Sequence, residues 1–376
     1  INKNLKFFRI LIINISVFLF LVLALELFFI TRDKLNDNII ATVNDEKYIF
    51  YDSIIKINKK VSPNFSPRNY IDNTDFLPLS GISNYLTINC NENGYMATYQ
   101  ADRFGFNNID SLYELNEIDA VLIGDSFVQG QCVSQDKIIS THLNDLGLRS
   151  LAYANGGAGP LQEYAMYKEY ADFKNPKIVL WFFYEGNDII NLKRESTSQL
   201  YNNYYNNYSF SQDLISKQDQ IDRYWKSELS IVIKNRNNFF NKIMRSSHLM
   251  ARLKLYYNRL NMKILYSSIE DRDYNDYFIE LIKKVKIDNS TKNRRFIFIY
   301  LPQSERYYNR NIDMLPTDKN KLISRLREKD ISVFDFDSIV KSLENPKSLF
   351  SGNQKHYNEY GYELLSKELF NFLQKD

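Results

Sequence analysis

Two hydrophobic patterns divide the chain. From Ile10 to Ile30 almost every residue is apolar, and a helix of about 20 such residues spans a hydrocarbon layer about 30 Å thick. After it, short apolar runs alternate with polar, helix-patterned stretches. Strands are predicted near residues 119–124, 148–154, 177–184, 294–301 and 331–336, and helices near 134–146, 160–173, 319–329 and 359–373. A continuous run such as Phe296-Ile297-Phe298-Ile299-Tyr300 fits a strand buried on both faces. The alternation predicts an α/β domain, a parallel sheet with helices on both sides, whose active residues gather at the carboxyl edge.

The flanks of the apolar segment set the expected topology. Lys3, Lys6 and Arg9 precede it with no acidic residue among them, which predicts a cytoplasmic N-terminus and a periplasmic or extracellular domain. The segment ends in Leu27-Phe28-Phe29-Ile30 with no small-x-small site, so an uncleaved anchor is expected. Glu26, near its outer end, is read as reaching the interface. Residues 1–30 are then a transmembrane anchor, 31–118 a membrane-proximal accessory region packing on the core, and 119–376 the main domain. An insertion is expected at about 191–293, opening with a Tyr- and Asn-rich tract.

Charge and cysteines narrow the class further. With 48 Lys plus Arg against 45 Asp plus Glu, the net charge is +3, and no nucleic-acid partner is predicted. Cys90 and Cys132 are the two cysteines; in an exported protein they are a candidate disulfide, tying the N-terminal segment to the loop after residue 126, or else two buried thiols. No His or Cys pair has metal-ligand spacing, and Gly156 to Pro160 is not followed by Gly-Lys-Ser/Thr, so neither metal nor nucleotide cofactor is expected.

The candidate chemistry sits on loops after predicted strands. Gly124-Asp125-Ser126-Phe127 follows the first strand, where a hydroxyl projects from the sheet edge beside free helical N–H groups. Asn155-Gly156-Gly157-Ala158-Gly159-Pro160 follows the second, and its glycines let a backbone N–H approach a substrate. Gly186-Asn187-Asp188 follows the third, placing a neutral side-chain donor there. A serine nucleophile needs an imidazole base. Of three histidines, His142 lies in the helix after the serine turn and His248 in a basic stretch, which leaves His356, just before the last helix. An α/β-hydrolase elbow is disfavoured because Val128 stands where a second glycine belongs.

These blocks resemble the SGNH hydrolases, or GDSL esterase/lipase superfamily, over roughly residues 119–376. The resemblance implies a three-layer α/β/α fold with a flavodoxin-like parallel sheet. It also implies Ser126 as nucleophile, His356 as base, and the Ser126 N–H, Gly157 N–H and Asn187 side chain as oxyanion donors. In that family an aspartate stands three residues before the histidine, where this chain has Asn353. That leaves a Ser-His-Asn arrangement, a Ser-His dyad, or a carboxylate from elsewhere, with Asp335 and Asp337 the nearest candidates. The expected activity is hydrolysis of an acyl ester on a small molecule or extracytoplasmic glycan. An O-acyltransferase using the same acyl-enzyme and a catalytically silent glycan-binding protein are the alternatives.

Overall fold

The computed structural model describes residues 2–35, 43–67, 75–238, 273–308, 318–352 and 356–375, with 247, 249, 250, 252, 253, 256, 257 and 260. They form two units, residues 1–49 with 229–267, and 50–228 with 268–376.

In the first unit the helix Asn2–Leu35 contains Lys6–Arg32, 27 residues apolar and long enough to cross a membrane. Its large side chains, Phe18 and Phe20 among them, are exposed. Glu26 is the polar exception, and its carboxylate accepts from Ser247 Oγ at 2.8 Å and from the Leu249 N–H at 2.9 Å. The acid on this apolar face is therefore hydrogen-bonded within its own unit, as a buried or lipid-facing carboxyl must be.

The second unit is built on five parallel strands, β4 (Ala120–Gly124), β5 (Ser150–Ala154), β6 (Ile178–Tyr184), β7 (Arg295–Leu301) and β8 (Ser332–Asp335). They lie in the order β5-β4-β6-β7-β8. All five fall within two residues of the predicted runs. Successive connections from β4 leave in opposite directions, to β5 on one side and to β6 on the other, so the end of β4 is the switch point of a flavodoxin-like sheet. One core cluster covers one face with Leu161, Ala165 and Phe278; the other covers the opposite face with Leu143, Leu365 and Leu369. Phe278 belongs to Tyr274–Thr291, which lies inside the stretch read from sequence as an insertion and packs on β7 as the β6-to-β7 crossover helix.

Residues 50–118 pack onto this core through Leu77, Leu79, Phe104, Phe106 and Ile118. They carry a second small sheet: β1 (Val61–Pro63), β2 (Leu86–Ile88) and β3 (Thr98–Gln100), with β2 and β3 antiparallel. They also close an exposed edge. β5 ends the large sheet, and its Ala152 is paired by the Asn108 carboxamide, which donates to Ala152 O at 2.9 Å and accepts its N–H at 2.7 Å. Such cover removes the unpaired groups that make an edge strand adhesive. Asn108 is held by buried Asp102, which also accepts from the Phe104 and Phe106 N–H groups and the Tyr113 hydroxyl. Burial pushes the Asp102 carboxyl up to about 6 despite those bonds.

Two loops in this region touch backbone to backbone. The Gly81 N–H donates to Gly105 O at 3.2 Å, and a Cβ on Gly105, whose φ is +83°, would stand 2.1 Å from Gly81 O. Gly105→Ala is expected to lower stability by about 2–4 kcal/mol, from the left-handed backbone and the overlap together. Gly94→Ala, at φ +87° with nothing within 4 Å, should lose only about 1 kcal/mol. Urea unfolding of both variants checks this; equal losses would refute the steric account.

Candidate active site

Ser126 opens a one-turn helix, Ser126–Gln129, directly after β4. The turn is tight: a Cβ on Gly124 would lie 2.5 Å from Val128 Cγ2, so the return of this helix over the strand end needs glycine at that position. Asp125 caps the turn by accepting the Phe127 N–H at 2.9 Å, and Gly130, at φ +74°, ends it. Ser126 is thus clamped at the switch point and is 4% exposed.

The histidine expected as base arrives from the far end of the chain. His356 Nε2 lies 3.0 Å from Ser126 Oγ, and His356 Nδ1 lies 3.0 Å from Glu92 Oε2. A carboxylate can only accept, so Nδ1 carries the proton and Nε2 is free to accept the serine hydroxyl. Ser351 Oγ donates to the same Glu92 oxygen at 3.0 Å. The Phe127 ring packs 5.1 Å from the imidazole, centroid to centroid, and 4.2 Å from Tyr184. The serine hydroxyl also reaches Asp125 Oδ2 at 3.2 Å, and burial raises that carboxyl above its ordinary value.

The two other loops lie beside the serine because β5 and β6 flank β4. Gly157 has φ +75°, a left-handed conformation that favours glycine, and follows β5. Asn187 follows β6 and caps the helix Asp188–Glu195; its Oδ1 is buried with no hydrogen-bond partner among the described residues. Beneath these loops lie three more buried acids, Glu163, Asp188 and Glu195. Glu195 accepts from the Gly159, Leu161 and Gln162 N–H groups, anchoring the glycine loop to the start of the helix Pro160–Tyr170. Burial raises the Glu195 carboxyl to about 7. Burial, then the nearby acids, raises Glu163 and Asp188 well above the usual range.

The orienting carboxylate differs from every sequence-based candidate. Asn353 lies outside the described residues. Asp335 pairs with Lys319 at 2.7 Å, and Asp337 is bound by Tyr307, Lys319 and Lys341. The carboxyl that meets His356 is Glu92, in the accessory region 264 positions before the histidine. A signal for it was present: Glu92 stands two residues after Cys90, and the Cys90–Cys132 disulfide joins its loop to the one after Ser126. Glu92, Cys132 and His356 bring three possible metal donors within 4.8 Å of one another. The Cys132 sulfur is bonded to Cys90, which leaves two.

No family model matches the chain, and no curated protein does. Similar solved structures include lipases, acylhydrolases and esterases. A lipase/acylhydrolase from Enterococcus faecalis is 13% identical, covering 69% of this chain and 96% of its own, with a TM-score of 0.39. A GDSL-like lipase from Bacteroides thetaiotaomicron is 11% identical, covering 72% and 91%, at 0.37. The psychrotrophic esterase EstA from Pseudoalteromonas is 8% identical, covering 69% and 98%, at 0.36.

The buried acids predict an unusual pH dependence. Glu163 has an ordinary pKa of 4.5, raised in the fold. Its neutral form contributes stability that is fully present below 4.5. That stability is lost as pH rises through the folded value, at up to about 1.4 kcal/mol per pH unit. Carboxylates held low by cations, such as Asp119 beside Arg149, act oppositely but are shared by variants. Glu163→Gln should therefore be stabilised relative to wild type as pH rises from about 5 to 7.5. Thermal midpoints at both pH values measure this; an unchanged difference between the proteins would show that Glu163 ionises normally.

Proposed function

We propose that this protein is a membrane-anchored serine esterase that removes O-acyl groups from an extracytoplasmic glycan. The observation that carries the hydrolase reading is the relay Ser126–His356–Glu92, two contacts of 3.0 Å at the sheet's switch point. The apolar helix supports anchoring, and the preceding Lys3, Lys6 and Arg9 support a cytoplasmic N-terminus. The glycan reading is supported by the polar side chains packed beside the serine's own loop and the β5 loop. The Asn64 carboxamide donates to Gln129 at 3.3 Å, Ser66 Oγ donates to Gly156 O at 2.6 Å, and Gln131 stands beside Gly156. Amides and hydroxyls beside these loops suit a hydroxyl-rich substrate.

In this reading Ser126 Oγ attacks the ester carbonyl carbon while its proton passes to His356 Nε2. The oxyanion is held by the Ser126 and Gly157 N–H groups and the Asn187 side chain. On collapse, His356 returns the proton to the departing alkoxide, leaving an acyl-serine. Water then attacks the acyl carbon, again losing its proton to His356, and the serine is regenerated. Glu92 keeps the productive tautomer and stabilises the imidazolium that forms twice per turnover.

The full-length protein should react with a fluorophosphonate probe and hydrolyse p-nitrophenyl acetate. Both activities should vanish in Ser126→Ala and His356→Ala, with turnover down at least about 10³-fold. Glu92→Gln should lose about 10²- to 10⁴-fold in kcat. Asn187→Ala should lose about 10²-fold or more. A folded wild-type protein inert to the probe would refute the enzyme reading. Hydrolysis of aryl esters without acetate release from O-acetylated polysaccharides would refute the glycan assignment.

A further inference from the structure

Glu92 sits where a catalytic acid is poorly held by secondary structure alone. β2 and β3 form a hairpin whose last backbone pairings are Asn89 N–H to Ala97 O and Ala97 N–H to Cys90 O, each 2.9 Å. Glu92 lies beyond them, on the hairpin loop, and its loop has neither helix nor strand. Hairpin tips of this kind move more than the elements they join, whereas a displacement of about 1 Å in a catalytic group can lose about 10²-fold in rate.

The tip is instead fastened to the nucleophile's own loop. Cys90, the last paired residue of the hairpin, is bonded to Cys132, six positions after Ser126. Cys132 is left-handed at φ +64°, which disfavours a residue with a side chain. Asn93 Nδ2 donates to Cys132 O at 2.9 Å, and Tyr95 accepts the Ser134 N–H at 3.1 Å while donating to Glu359 at 2.8 Å. Glu92 is thus bracketed by a covalent bond two residues before it and by single hydrogen bonds, each worth about 1 kcal/mol, after it.

We propose that the Cys90–Cys132 disulfide is a positioning element of the hydrolytic centre, which holds Glu92 on His356 and makes full turnover depend on the oxidised protein. The proposal rests on the serine-esterase reading above and deepens it. Its redox step is thiol–disulfide exchange: a small dithiol supplies two electrons and two protons, the S–S bond becomes two thiols, and the dithiol closes to its own disulfide. An exported domain lies in a compartment where the bond persists.

The test uses the full-length protein in detergent, oxidised and after dithiol reduction with both thiols counted, as wild type and as Glu92→Gln. Reduction should lower wild-type kcat about 10²-fold with KM changed less than about threefold. In Glu92→Gln, which has already lost the carboxylate, it should lower kcat less than about threefold, the non-additivity of two changes acting through one contact. Undiminished turnover of the reduced wild type overturns the proposal. So do equal fractional losses in both proteins, which global unfolding would also produce. Proton NMR of histidine-labelled protein supplies a readout that needs no turnover. With three histidines, His356 is assignable from a His356→Gln spectrum, and its Nδ1–H should resonate far downfield when oxidised and lose that signal on reduction. A signal that responds this way in a protein without esterase activity would retain the positioning role and overturn only the enzyme reading. A signal insensitive to reduction would overturn the positioning role.

Discussion

The imidazole of His356 joins three segments that are remote in the chain and adjacent at the sheet edge. Nε2 meets a serine held by the end of β4, Nδ1 meets a glutamate on the β2–β3 hairpin, and the ring itself enters on the loop before the last helix. Each contact is useful only if the other is made. Without the carboxylate the ring has no fixed tautomer; without the serine it has no proton to accept. The rest of the second unit can be understood as what keeps these three loops in register. The switch point aligns the serine, the packing of residues 50–118 brings in the hairpin, and Phe127 supports the face of the ring.

The accessory region is therefore part of the Ser126–His356 site in geometric terms. It seals the edge of β5 through Asn108, and it supplies the glutamate. Both contributions pass through polar side chains, set beside the apolar packing of Leu77, Leu79, Phe104, Phe106 and Ile118. Asn108 is buried and hydrogen-bonded to both backbone groups of Ala152, so displacing the region would leave that part of the β5 edge unpaired. That penalty makes the region's docking specific as well as stable.

The acids beneath the site follow a different rule. Glu195 is compensated by three backbone N–H groups, whereas the Glu163 oxygens have no hydrogen-bond partner among the described residues. Burying several anions together would be prohibitive, and the fold instead favours their neutral forms, as the raised values of Glu163, Asp188 and Glu195 indicate. Glu92 is the carboxyl that meets the imidazole directly, at 3.0 Å, with Asp125 beside the serine in its field.

The periodicity of apolar residues was enough to locate the five parallel strands, the apolar N-terminal helix and the loops carrying Ser126, Gly157, Asn187 and His356. Burial on both faces writes continuous apolar runs into a chain, and a strand-to-helix turn leaves its small residues next to them. Two things were hidden. The crossover helix Tyr274–Thr291 lay inside the stretch 191–293, which opens with a polar Tyr- and Asn-rich tract and reads as an insertion. The acid partner of His356 could not be read from periodicity, because a hydrogen-bonded pair leaves no periodic trace and its members stand 264 residues apart. Local sequence can place a carboxylate on a turn. Which of many carboxylates meets an imidazole is decided by how two sheets and a disulfide bring their loops together, and that is a property of the tertiary structure.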